Sequence, residues 1–298
     1  MNAYIFPGQG SQFPGMGRQL FEQFPQAQEQ FRRADEILGY SISDVMFNGT
    51  EEQLKQTNHT QLAMFLHGYI SYVCLHQEVP NMTAGHSLGE YTALAAAGCL
   101  AFEDALRLVE IRANAMQKCC ERQASGMAAV LKFDDHITEE VCASVTDEVV
   151  VPANYNSPQQ LVISGSLKGL ETAIERLREA GARRILMLNV GGAFHSPLMQ
   201  SAQDELAEAI VKCPFNEPIC PVYQNVTASP TTDPEIIRKN LIAQLTSPVR
   251  WTDTVRNMVR DGATRIVEFG PAPTLQNLVK RITPEIETDC LGSESNDQ

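Results

Sequence analysis

The apolar positions of this chain fall into short strand-like runs and longer stretches with helical spacing. Residues 3–6 are apolar throughout, and 81–84 form a second short run that follows a proline; both predict buried strands. Helical patterns are expected over 24–38, 51–55, 61–75, 88–100 and 102–122. Alternating strands and helices argue for a parallel α/β core. From about 123 to 191 the pattern changes, giving strand 126–133, helix 136–145, strands 149–153 and 161–164, helix 167–180 and strand 184–190. Asn154-Tyr155-Asn156-Ser157-Pro158 is expected as the loop between the two middle strands. The order βαββαβ is that of a ferredoxin-like unit, here read as inserted into the core. The core then resumes with helix 197–213, strand 221–225, helices 234–245 and 252–261, strand 265–269, the turn Gly270-Pro271-Ala272-Pro273 and a last helix. The expected organisation is a core of 1–122 with 192–292, a ferredoxin-like subdomain at 123–191, and a polar, disordered tail at 293–298.

Composition narrows the function. The 298 residues are 43% hydrophobic and 20% charged, enough for one large core or a core with an insert. A net charge of −13 argues against general nucleic-acid binding, and an acidic partner would need a local basic patch. The eight cysteines include no C-x-x-C pair, and Cys119-Cys120 are adjacent, so reduced thiols in a cytoplasmic protein are expected. No basic leader precedes residues 3–6, and the longest apolar stretch, around 93–100, is too short to span a membrane.

The strongest candidate chemistry lies in Gly85-His86-Ser87-Leu88-Gly89-Glu90. Its G-x-S-x-G spacing falls between an expected strand and an expected helix, the setting of a nucleophile elbow. The alternative is an ordinary helix-capping serine. Pro7-Gly8-Gln9-Gly10-Ser11-Gln12 is a second glycine-rich loop; Phe13 occupies the third glycine position of a dinucleotide fingerprint, so an oxyanion donor beside the elbow is the better reading. A serine nucleophile needs a base. His59, His67 and His76 lack metal spacing and read as surface or packing residues, His136 as solvated, and His86 as packing or orienting the elbow. His195, in Gly191-Gly192-Ala193-Phe194-His195-Ser196-Pro197, is either the base or a helix-entry histidine. Asp134, Asp135 and Asp147 are the acids available for a triad; none has a convincing context, so a dyad oriented by a backbone carbonyl is reasonable. Arg112 has apolar neighbours and is expected to point inward, where it needs a carboxylate: Glu110, Glu268, or that of a substrate.

These segments together resemble the malonyl-CoA:acyl carrier protein transacylase family over roughly residues 3–290. The resemblance rests on Phe6-Pro7-Gly8-Gln9-Gly10-Ser11-Gln12, on Gly85 to Tyr91, on Arg112, on the segment 153–165, on Gly192 to Met199 and on Val267-Glu268-Phe269-Gly270-Pro271. It implies an α/β-hydrolase-like core with a ferredoxin-like insert. It also implies Ser87 as nucleophile, His195 as base, the Gln244 carbonyl orienting the imidazole, and the Gln9 and Leu88 amides as oxyanion hole. Arg112 would hold the malonyl carboxylate, Phe194 would suit malonyl over methylmalonyl, and Gln61 matches a glutamine near the site. The substrate would be malonyl-CoA and the acceptor a phosphopantetheinylated acyl carrier protein. No bound cofactor, metal, nucleic acid or membrane is expected, and the chain is expected to be a monomer. Lys118, Arg122 and Arg250 are the basic residues suspected of meeting the carrier. Arg250, where glutamine or lysine is common, and Ala272-Pro273, in place of a glycine-containing turn, depart from the family pattern away from the chemistry.

Overall fold

The computed structural model describes residues 1–294. Ten strands are present among them: β1 (Asn2–Phe6), β2 (Met82–Gly85), β3 (Ser125–Leu131), β4 (Val150–Ser157), β5 (Gln160–Ser166), β6 (Arg184–Met187), β7 (Val222–Tyr223), β8 (Pro230–Thr231), β9 (Arg265–Phe269) and β10 (Glu287–Leu291). Six form one sheet in the order β10-β9-β1-β2-β7-β8, parallel except for β8. Strand β1 is central and nearly all apolar because helices cover both its faces. Tyr4 and Phe6 pack with Phe269 on one side, and Ala3 and Ile5 with Trp251 and Ile266 on the other.

The remaining four strands form an antiparallel sheet, β4-β5-β3-β6. Helices Asp135–Ser144 and Leu167–Glu179 cover one face, where Ala128, Val130 and Ile163 meet Leu170 and Ala173. Met127, Ala129 and Val162 belong to the larger core on the opposite side. This is the ferredoxin-like arrangement beside an α/β-hydrolase-like core. The two meet at β4, where Tyr155 N–H donates to the Val249 carbonyl (2.9 Å) and Val249 N–H to that of Ala153 (2.8 Å).

Some local expectations fail. Residues 154–157 are not a loop: β4 runs through them to Ser157, leaving only Pro158 and Gln159 as the turn. Two register shifts, between Pro152 and Asn154 and between Tyr155 and Ser157, let this polar, proline-containing segment remain paired. The helix expected at 197–213 is a 3-10 turn, Pro197–Met199, followed by Gln200–Lys212; the one expected at 234–245 stops at Ala243 and tightens into Gln244–Thr246. Residues 293 and 294 are not a loose tail. Glu294 accepts from Gly17 N–H (2.9 Å), donates its own N–H to the Pro271 carbonyl (3.1 Å), and faces the buried His67. The disorder expected of 295–298 lies outside the described residues.

Candidate active site

The turn carrying Ser87 is built by close packing. Strand β2 ends at Gly85 and the next helix, Gly89–Ala96, starts four residues later. A Cβ on Gly89 would lie 2.0 Å from the Phe6 carbonyl oxygen, and one on Gly85 1.8 Å from the Gly89 carbonyl carbon. Both obstacles are backbone, so no side chain fits. Ser87 sits at φ 53°, in the left-handed region that L-residues disfavour. That conformation is held by bonds on both sides: its N–H donates to Asn225 Oδ1 (2.7 Å), and its carbonyl accepts from Gln244 Nε2 (2.9 Å).

The structure brings His195 to this turn. Its Nε2 is 2.8 Å from Ser87 Oγ, and its Nδ1 is 3.0 Å from the Gln244 carbonyl. A carbonyl only accepts, so Nδ1 carries the proton and Nε2 is free to take one from the serine. His195 is buried, and its imidazole is pushed down to about 3, first by desolvation and then by the Arg112 charge; the Gln244 carbonyl opposes this. None of the three candidate acids contacts the imidazole. Asp134 instead caps helix Asp135–Ser144, accepting from the His136 and Ile137 amides. His86 lines the same cavity but hydrogen-bonds elsewhere: its Nε2 meets Asn156 Oδ1 at 2.8 Å and its ring lies edge-on to Trp251.

Arg112 reaches the same place from helix Phe102–Arg122 and is 1% exposed. It donates to Gln61 Oε1, to Gln244 Oε1 (3.2 Å) and to Ser87 Oγ (3.1 Å), with its guanidinium over the Tyr91 ring. Neither carboxylate considered as its structural partner fills that role. Glu268 accepts from the Leu275 and Gln276 amides (3.0 and 2.7 Å) and caps helix Thr274–Ile282, while Glu110 lies on a partly exposed face of the helix. Among the described residues Arg112 forms no ion pair. Its hydrogen-bond partners are neutral amides and a hydroxyl, and the buried Glu90 acts on it through charge alone, without a contact, so the guanidinium is poised for an anion.

A cavity of about 160 Å³ opens over Ser87 and His195, lined also by Gln9, Met116, Asn154 and Phe194. The backbone amides of Gln9 and Leu88 donate to no protein acceptor among the described residues. Of the other histidines, His59, His76 and His136 are at least partly exposed, whereas His67 is fully buried beside Ser71. The suspected basic residues are less available than expected: Lys118 pairs with Glu205 (2.8 Å) and Arg122 reaches Ser201 (3.4 Å), while Arg250 is exposed. The sequence reading passed over Glu90 and Asn225. Glu90 stood inside the serine motif, a buried carboxylate in a first helical turn; Asn225, just past a two-residue strand, gave no signal.

A strained serine, a buried imidazole bonded to it and a cation beside both form an arrangement with the chemistry to carry out acyl transfer. The chain belongs to the acyl transferase family: the acyl transferase domain matches residues 3–290. Within that family it is 41% identical over 291 residues to the malonyl CoA-acyl carrier protein transacylase of Bacillus subtilis, covering 96% of this chain and 92% of that one. It superposes with TM-score 0.94 on the malonyl-CoA:acyl carrier protein transacylase of Xanthomonas oryzae, at 40% identity, covering 98% and 94% of the two chains. The TM-score is also 0.94 with a malonyl-transacylase solved in complex with its type II polyketide acyl-carrier protein, at 36% identity and 98% and 96% coverage.

Proposed function

We propose that the chain transfers the malonyl group from malonyl-CoA to the phosphopantetheine thiol of an acyl carrier protein, by way of a malonyl ester on Ser87. The observation that carries this reading is Arg112, a fully buried cation that forms no ion pair among the described residues and lies within hydrogen-bond distance of the serine. The names of the relatives point the same way.

His195 Nε2 takes the Ser87 proton as Oγ attacks the thioester carbonyl. The Gln244 carbonyl keeps the other ring proton in place and so fixes the tautomer. Charge developing on the carbonyl oxygen is received by the Gln9 and Leu88 amides, each worth about 3–4 kcal/mol in comparable sites. The tetrahedral intermediate collapses with cleavage of the carbon–sulfur bond; the departing thiolate takes the proton from His195, and malonyl remains on Ser87. The carrier thiol then gives its proton to His195, attacks the ester, and restores the serine hydroxyl. Arg112 holds the malonyl carboxylate through two parallel hydrogen bonds, with Gln61 and Gln244 fixing the guanidinium. Phe194 fills the space next to the malonyl α-carbon, where it selects modestly against an added methyl group.

We further propose that 1–122 with 192–292 carries the nucleophile, the cation and the base, with 123–191 forming one wall of the cleft, since Met127 and Val162 line the cavity. A cytoplasmic location accords with eight unpaired cysteines and with the lack, among the described residues, of any helix long and apolar enough to cross a membrane. The test is coenzyme A release from malonyl-CoA with and without the holo carrier protein. Release is expected to stop near one equivalent per enzyme unless the carrier is added. Sustained release without it would make the chain a thioesterase.

A further inference from the structure

Resting on the reading of Ser87 as the nucleophile, we propose that Asn225 is a positioning residue that sets the nucleophile turn and couples it to the base. Asn225 follows β7, whose pairing with β2 ends at Ala84. Its side chain carries the ladder past that point. Nδ2 donates to the Gly85 carbonyl (2.6 Å) and Oδ1 accepts from Ser87 N–H (2.7 Å), so one amide spans the backbone groups on either side of His86. A neighbouring strand would offer the same donor and acceptor, but a strand cannot follow a turn with Ser87 at φ 53°. The amide side chain can.

Asn225 is itself fixed from three directions. Its N–H donates to Glu90 Oε2 (2.8 Å) and its carbonyl accepts from Arg250 N–H (3.0 Å). Its Oδ1 also receives Gln244 Nε2 at 3.4 Å, and the Gln244 carbonyl orients His195. Glu90, fully buried, uses its second oxygen to accept from Gln224 Nε2 (3.2 Å), so the residue before Asn225 is anchored to the same carboxylate. Asn225 engages the Ser87 amide, while the adjacent Leu88 amide has no protein acceptor among the described residues. Asn225 thus acts on the reaction through Ser87 rather than by touching substrate.

The test measures single-turnover formation of the Ser87 ester from malonyl-CoA, with KM for malonyl-CoA in parallel. Asn225→Ala removes both side-chain bonds, and acylation is expected to fall roughly 100-fold, the scale of a misplacement near 1 Å, while KM changes little. Asn225→Asp is nearly isosteric and guards against a folding defect. It keeps the acceptor for Ser87 N–H, but when ionised it sets an oxygen against the Gly85 carbonyl. Protonation restores the donor, and burial raises the introduced carboxyl's pKa. Its acylation rate relative to wild type is therefore expected to climb as pH falls from 8 to 5, a range in which His195 stays neutral. Folded variants that acylate at the wild-type rate, or an Asn225→Asp ratio that does not move with pH, would overturn the proposal. A wild-type enzyme that forms no Ser87 ester would instead overturn the reading of Ser87 on which it rests.

Discussion

Replacing Arg112 with alanine separates recognition of the acyl group from its chemistry. The guanidinium is 1% exposed and forms its hydrogen bonds to Gln61, Gln244 and Ser87, all uncharged. A carboxylate bound there would gain two charge-assisted hydrogen bonds, each worth about 1.5–3 kcal/mol. Their loss amounts to about 3–6 kcal/mol, or roughly 10²- to 10⁴-fold in kcat/KM for malonyl-CoA. Acetyl-CoA has no carboxylate, and in the wild type it leaves the buried cation unpaired, so its transfer is expected to be unchanged or to rise. The assay is transfer of each acyl group to the holo carrier protein, with kcat/KM measured for both donors in wild type and Arg112→Ala. The predicted result is a collapse of the malonyl-to-acetyl preference. Equal losses with both donors would mean that Arg112 supports Ser87 without reading the substrate, and an unchanged preference would refute its role altogether.

Three further outcomes follow from the geometry. Because His195 is pushed down to about 3, the base stays neutral through mildly acidic pH. The acid limb of kcat/KM is expected near 3, and a limb at the ordinary histidine value of 6.5 would contradict the buried imidazole. Glu268, raised to about 7 by burial, binds its proton more tightly folded than unfolded. Its contribution is fully present below pH 4.5 and is lost as pH rises through 7, by about 3 kcal/mol in total; urea midpoints of Glu268→Gln against wild type should show that slope removed. Phe194→Ala is expected to improve methylmalonyl-CoA relative to malonyl-CoA by roughly tenfold in competition assays, and no change would place the methyl group elsewhere.

The chemistry was more legible in the sequence than the way it is held. Ser87 could be read because its glycines answer to backbone packing: Gly89 lies against the Phe6 carbonyl, and that steric demand writes itself into the motif. Arg112 could be read as inward-pointing from its apolar neighbours, but whether Glu110, Glu268 or a substrate would pair with it depended on the fold. Gln244 could not be read from residues at all, since it meets His195 through a backbone carbonyl that any side chain would supply. Its place came only from the family resemblance. Asn225 escaped because its role lies in the register between β2 and β7, a contact across 140 residues in the case of the Gly85 carbonyl. The fold was read well where strands were apolar and poorly where they were not: β10, Glu-Thr-Asp-Cys-Leu at the sheet edge, has too few apolar positions to reveal a strand, and the polar end of β4 looked like a loop.

The central claim is that Ser87 carries malonyl between two thiols. Intact mass of the protein after exposure to malonyl-CoA, and again after addition of holo acyl carrier protein, tests it most directly. The account predicts a gain of one malonyl group located on Ser87, its disappearance when the carrier is added, and no adduct in Ser87→Ala. An enzyme that supports transfer without acquiring the group, or that acquires it on another residue, would contradict the account.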